Sequence, residues 1–138
     1  MPHNLFLVDT STWLYALRKE FNPVIKDRLD QLLKENLVIT VGFIKLEILG
    51  GTKSEKEFQR LKMRLDSLEE CEIDTSLWER AYGLAFQLRR KGVTIPYTDI
   101  LIASTALAHE AILLHADTHF DRVAQFIGLK VESYVGKI

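Results

Sequence analysis

Four acids stand where elements of an α/β chain would meet. Asp9 ends the apolar run at residues 5–8 in NLFLVDTSTW, and a strand buried on both faces has no evident use for a charge there. Such an acid could cap the next helix, accept a phosphoryl group or hold a metal. Glu47 lies one to two helical turns beyond the apolar LVIT, Asp99 opens TDILIASTAL, and Asp117 follows AILLHA. Acids make up 19 of the 138 residues, so one acid at one position carries little information. Placement of all four at one edge of a sheet carries more.

Carboxylates gathered within a few ångströms repel and take up protons unless a cation neutralises them. Oxygen ligands without paired Cys or His suit Mg²⁺ or Mn²⁺. The matching chemistry is phosphodiester hydrolysis, in which the metal polarises a phosphoryl oxygen and lowers the pKa of an attacking water. Each acid also has a plain structural reading. Asp99 in a first helical turn is favoured by the dipole and as a cap would contribute about 1 kcal/mol. Glu47 reads as a solvated helix acid and Asp117 as a turn or cap residue.

The elements that must position these acids alternate strand and helix. After the first strand, Thr10 or Ser11 can cap a helix through Trp13, Leu14 and Leu17 to about Glu20. Asn22-Pro23 restarts a helix whose apolar face runs through Val24, Ile25, Leu29, Leu32 and Leu33 to Lys34. LVIT is the second strand, and a helix over residues 43–49 stops at Gly50-Gly51. Ser54 with Glu57 forms a capping-box pattern that opens a helix to about Leu68, CEI at residues 71–73 reads as a strand, and Ser76 with Glu79 repeats the box. Pro96 precedes the helix of YTDILIASTALAHE; then AILLHA is a strand, HFDRVAQFIG a helix and KVESY a last strand. This alternation predicts a mostly parallel sheet covered on both faces, with ligands beyond the carboxyl ends of its strands.

The chain reads as one domain over residues 1–138, and its 47% hydrophobic and 27% charged content describe an ordinary globular protein. A net charge of −1 gives no global basic excess of the kind a dedicated duplex binder carries. The single Cys71 cannot pair internally, which fits a reducing compartment, and it reads as a small core residue. No basic segment precedes the first apolar run, which is too short for a signal peptide or a membrane span. The expectation is a cytoplasmic protein without membrane contact.

Taken in order, LVDTSTW, TVGFIKLEILGG, YTDILIASTAL and ILLHADTHFDRV resemble the PIN domain, and within it the VapC-like toxin ribonucleases of toxin–antitoxin pairs. The resemblance implies a three-layer α/β/α sandwich with a mostly parallel central sheet and an Mg²⁺- or Mn²⁺-dependent endoribonuclease leaving a 5′-phosphate and a 3′-hydroxyl. By the same resemblance Asp9, Asp99 and Asp117 are metal ligands, directly or through water. Glu47 completes the catalytic set or orients a water, and Ser11 hydrogen-bonds a ligand or phosphate. A cognate antitoxin helix in a groove on the second to fourth helices, and a homodimer, are the implied partners beside RNA.

The last motif departs from the common pattern, in which a threonine precedes the acid and a second acid precedes phenylalanine. Those places hold His115 and His119. Asp121 could replace the missing acid, although a first-turn helix acid has its own dipole reading. Two histidines flanking Asp117 are weak support for zinc, and His119 reads rather as a polar rim residue or a solvated one. RNA would need positive charge from Arg18 and Lys19, from Arg60, Lys62 and Arg64, or from Arg89, Arg90 and Lys91. Trp13 and Tyr15 could stack on an unpaired base, with core as the commoner role for Trp13.

Rival readings have their own requirements. A phosphoacceptor receiver domain needs adjacent acids after its first strand, an acceptor Asp after its third and a lysine after its fifth. A haloacid-dehalogenase-like phosphatase needs a second Asp where Ser11 stands. A non-catalytic binding module of the same fold and a free-standing PIN RNA-processing nuclease remain as alternatives to the toxin.

Overall fold

The structure, a computed structural model, describes residues 4–17 and 23–137. Arg18, Lys19, the end of the first helix near Glu20 and the Asn22 cap lie outside the described residues. In chain order the elements are β1 (Phe6–Val8), α1 (Thr10–Leu17), α2 (Pro23–Lys34), β2 (Val38–Val41), α3 (Gly42–Gly50) and α4 (Glu55–Asp66). There follow β3 (Glu69–Cys71), α5 (Thr75–Arg90), α6 (Tyr97–Ala108), β4 (Ile112–His115), α7 (Thr118–Ala124) and β5 (Val131–Ser133).

The strands pair in parallel in the order β3-β2-β1-β4-β5. Right-handed crossovers then dictate the layers. The connections β1 to β2 and β2 to β3 step in one direction and carry α1 to α4 on one face. The return from β3 to β4 and the step to β5 run the other way and carry α5 to α7 on the opposite face. Helix contacts agree: α1 packs on α2 and α3, and α3 on α4, while α5 packs on α6 and α6 on α7. A receiver domain has the order 2-1-3-4-5, so the sheet itself removes that rival.

Burial follows position in the sheet. β1 and β2 are buried throughout and β4 nearly so, whereas the edge strands β3 and β5 are partly open to solvent. All-parallel central strands lie under helices on both faces, which is why LFLV and ILL are unbroken apolar runs. α6 is almost as apolar, with Ile100, Ile102, Ala103 and Ala106 buried against the sheet. Trp13 is a core residue, which takes it out of any stacking role toward RNA. Cys71 is buried as well, and burial pushes its thiol up to about 11, far from a reactive thiolate.

Several boundaries differ from the sequence reading, each for an identifiable reason. The third strand is Glu69–Cys71 rather than residues 71–73, because it pairs through Ile39↔Glu69 and Val41↔Cys71. An edge strand can leave two glutamates exposed, so its composition hides it. α5 is capped by Asp74, whose carboxylate accepts from Leu77 N, and Ser76 lies inside the helix. At α4, Ser54 accepts from Glu57 N as expected, but the Glu57 carboxylate reaches Lys53 N, so the box closes on the residue before the cap.

The caps give a direct test. Asp74→Ala is expected to lower stability by about 1 kcal/mol in denaturant unfolding and Ser76→Ala by a few tenths at most. Equal losses would return the cap to Ser76.

Candidate metal centre

Strand order reverses between β1 and β4, so the helices leaving these neighbours go to opposite faces and open a crevice at their carboxyl ends. Asp9 stands at this point. Its amide donates to Leu114 O at 3.1 Å, and the Asp9 residue is 3% exposed. The carboxylate is the N-cap of α1, a place the sequence reading gave to Thr10 or Ser11: Oδ1 accepts from Thr12 N at 2.9 Å and Oδ2 from Ser11 Oγ at 2.8 Å. Capping alone does not account for the acid. A cap contributes about 1 kcal/mol, whereas keeping a charged carboxylate from water costs several kcal/mol unless a counter-charge is present. Burial wins, and the Asp9 pKa is raised above 3.8 despite the hydrogen bonds from Thr12 and Ser11 that oppose it.

Asp99 occupies the first turn of α6 without capping it; Pro96 is the N-cap residue and supplies no side-chain bond. Freed from that role, the Asp99 carboxylate meets the imidazole of His119, Oδ2 to Nδ1 at 3.0 Å. Asp117 caps α7, with Oδ1 accepting from His119 N at 2.8 Å, and the same oxygen lies 3.3 Å from His119 Nδ1. Ligand atoms of Asp99, Asp117 and His119 all fall within 4.8 Å of one another, the one such group of metal-binding side chains among the described residues. Burial first, then the charges of Asp117 and Asp9, raise the Asp99 pKa, with His119 opposing them. Among the described residues no lysine or arginine is one of the groups that shift Asp9 or Asp99.

The remaining candidates are spread around this centre. Glu47, on α3, accepts a hydrogen bond from Thr10 Oγ1 at 2.7 Å, which ties α3 to α1 one residue from Asp9. Glu47 is exposed, and neither it nor Asp9 falls within the 4.8 Å group. Ser11 bonds Asp9 itself. Asp121 faces away from the group: its Oδ2 accepts from Ser133 Oγ at 2.8 Å and its Oδ1 lies 3.2 Å from His115 Nε2.

His115 supplies a feature the sequence reading missed. The ring is fully buried with its edge against Phe120, and Nδ1 accepts the Asp117 amide at 3.1 Å. An accepting Nδ1 puts the proton on Nε2, which lies 3.2 Å from Asp121 Oδ1 without the alignment of a hydrogen bond. Burial lowers the His115 pKa despite the charges of Asp121, Asp9 and Asp117, so the ring is a neutral strut behind Asp117. The signal lay in the register His115↔Ser133 between β4 and β5, which brings Ser133 to Asp121 and is not legible from linear spacing.

The PIN domain model matches residues 6–125. The chain belongs to the PIN domain family. Among curated relatives, VapC ribonuclease Mb1587 of Mycobacterium bovis is 28% identical over 134 residues, covering 94% of this chain and 99% of that protein. Ribonuclease VapC51 of Mycobacterium tuberculosis is 29% identical over 126 residues, covering 89% and 88%. The toxin–antitoxin complex VapBC2 of Rickettsia felis, solved bound to a DNA fragment from its promoter, aligns with a TM-score of 0.78 at 25% identity over 94% of this chain and 98% of that one. VapBC of Salmonella typhimurium, at 20% identity and a TM-score of 0.79, shares the fold. The expected PIN-like α/β architecture is therefore the observed one.

Metal-free stability should carry the signature of the raised carboxyls. In the unfolded chain Asp99 ionises near 3.8, and the folded protein holds that proton to higher pH. The folded state therefore binds more protons above 3.8, and stability drops as pH rises through the window up to the folded pKa. Relative to wild type, Asp99→Asn is expected to gain in Tm as pH climbs through that window, with chelator present. A pH-independent difference between the two would contradict the shift.

Proposed function

We propose that this protein is a divalent-metal-dependent endoribonuclease and the toxin of a toxin–antitoxin pair. One observation carries the reading: Asp9, buried at the strand-order reversal, and Asp99, both held above their ordinary pKa, stand beside Asp117, and among the described residues histidines but no lysine or arginine oppose those shifts. A site built this way is electrostatically incomplete, and a divalent ion completes it. The names of the relatives, VapC ribonucleases and VapBC complexes, support RNA as substrate and an antitoxin as partner.

In this reading Asp99 and Asp117 ligate the metal directly and Asp9 does so directly or through water. Mg²⁺ or Mn²⁺ bound there would supply Lewis acidity toward a phosphodiester oxygen and ready ionisation of water near neutral pH. The protein's own residues supply position. Thr12 N and Ser11 Oγ hold both oxygens of Asp9, each retaining a lone pair for a further partner. His115 and the N-terminus of α7 fix Asp117 from behind and in front. Glu47 stands at the solvent margin, where it can orient a water. Arg89 and His119 line a cavity of about 540 Å³ between α5 and α6, which gives an RNA strand positive charge next to the acids.

The antitoxin helix would lie along α2, α3 and α4, where Val24, Leu46 and Met63 are exposed apolar side chains. Homodimerisation would use the aromatic row Trp78, Tyr82 and Phe86 on α5 with Tyr97 of α6, also exposed. Among the described residues no helix is long and apolar enough to cross a membrane. A cytoplasmic setting accords with that and with the buried thiol of Cys71.

Incubation of purified protein with single-stranded RNA tests the proposal. Wild type is expected to cut in Mg²⁺ or Mn²⁺, to stop in chelator and to leave 5′-phosphate ends, while folded Asp99→Asn loses more than about 100-fold in rate. Cutting that survives both chelator and Asp99→Asn would overturn the metal assignment. No cutting by wild type under any metal would favour the binding module.

A further inference from the structure

We infer that His119 is a direct metal ligand through Nδ1 and that it makes the centre selective for Mn²⁺ over Mg²⁺. The inference rests on the metal centre proposed above and adds a nitrogen to it. Atoms in neighbouring positions of a six-coordinate shell with bonds of about 2.1 Å are separated by about 3.0 Å. His119 Nδ1 meets that spacing on two sides at once, at 3.0 Å from Asp99 Oδ2 and 3.3 Å from Asp117 Oδ1. One N–H cannot point well at two oxygens on different elements, whereas one nitrogen lone pair and two carboxylates aimed at a common ion require no compromise.

The backbone holds the ring in place. His119 N is tied to Asp117 Oδ1 at 2.8 Å, so ring and carboxylate leave the same helical turn on one side of the crevice. Behind them His115 accepts the Asp117 amide, and Asp121, which does not face the centre, is drawn toward His115 and Ser133. The acid after Asp117 in the chain thus works as support, and the position facing Asp99 belongs to an imidazole. Half-exposed at the mouth of the crevice, His119 is open to an arriving ion.

Charge explains what the imidazole changes. Asp99 already feels Asp117 and Asp9. A third close carboxylate would raise the repulsion further and suit a hard ion held by charge alone. A neutral ring adds a donor without adding charge, and nitrogen donors favour first-row transition ions over Mg²⁺, which prefers oxygen and retains its waters.

Metal-stripped protein, titrated separately with MnCl₂ and MgCl₂ by calorimetry, provides the test, together with electron spin-echo modulation of the Mn²⁺-loaded protein. Wild type is expected to show nitrogen-14 coupling from an imidazole on Mn²⁺, and folded His119→Asp to lose it. The same variant should narrow the Mn²⁺ to Mg²⁺ affinity ratio on the order of tenfold, and His119→Gln should weaken Mn²⁺ binding without restoring Mg²⁺. Mn²⁺ that binds wild type, is lost in Asp99→Asn and carries no nitrogen coupling would leave the metal centre standing and remove His119 from it. Failure of wild type to bind Mn²⁺ at all would overturn both.

Discussion

The organisation of this protein turns on one buried carboxylate. Asp9 is held from water at the point where strand order reverses, and its two hydrogen-bond donors, Thr12 N and Ser11 Oγ, do not offset the loss of hydration. Everything around it answers to that constraint. β4 beside β1 brings Asp117 to the same edge, and the return crossover through α5 delivers the first turn of α6 with Asp99. Parallel pairing over apolar strands sets these positions, and on the proposed reading a bound cation would relieve the charge they concentrate.

A second layer of support determines which carboxylates face the crevice. Asp117 is held by His115 at its amide and by α7 at its side chain, so the turn after β4 has little freedom. Asp121 and Ser133 complete that support across the β4–β5 pair. The departure from the usual last motif is then a reassignment: one histidine becomes a neutral buried strut and the other meets both Asp99 and Asp117.

Much of this was legible in the residues. Central strands announced themselves as apolar runs because burial on both faces leaves no room for alternation, and acids at their carboxyl ends marked one edge. Edge strand β3 was misplaced by two residues because exposed Glu69 and Glu70 look like a loop until β2 pairs with them. Two caps were misread, at α1 and α5, because Asp9 and Asp74 stand next to hydroxyl residues of equal capping power. The convergence of Asp99, Asp117 and His119 depends on how α6 packs on α7, a tertiary relation no spacing encodes. Glu47 shows the reverse: its place in the chain pointed to the acid cluster, yet its carboxylate is bonded to Thr10.

The most direct measurement is anomalous diffraction from crystals grown with Mn²⁺. The account predicts a peak in the crevice with Asp99, Asp117 and His119 around it at about 2.1–2.3 Å and Asp9 adjacent, directly or through one water. Crystals with that crevice open to solvent and no peak at saturating Mn²⁺, or a peak elsewhere on the protein alone, would contradict it.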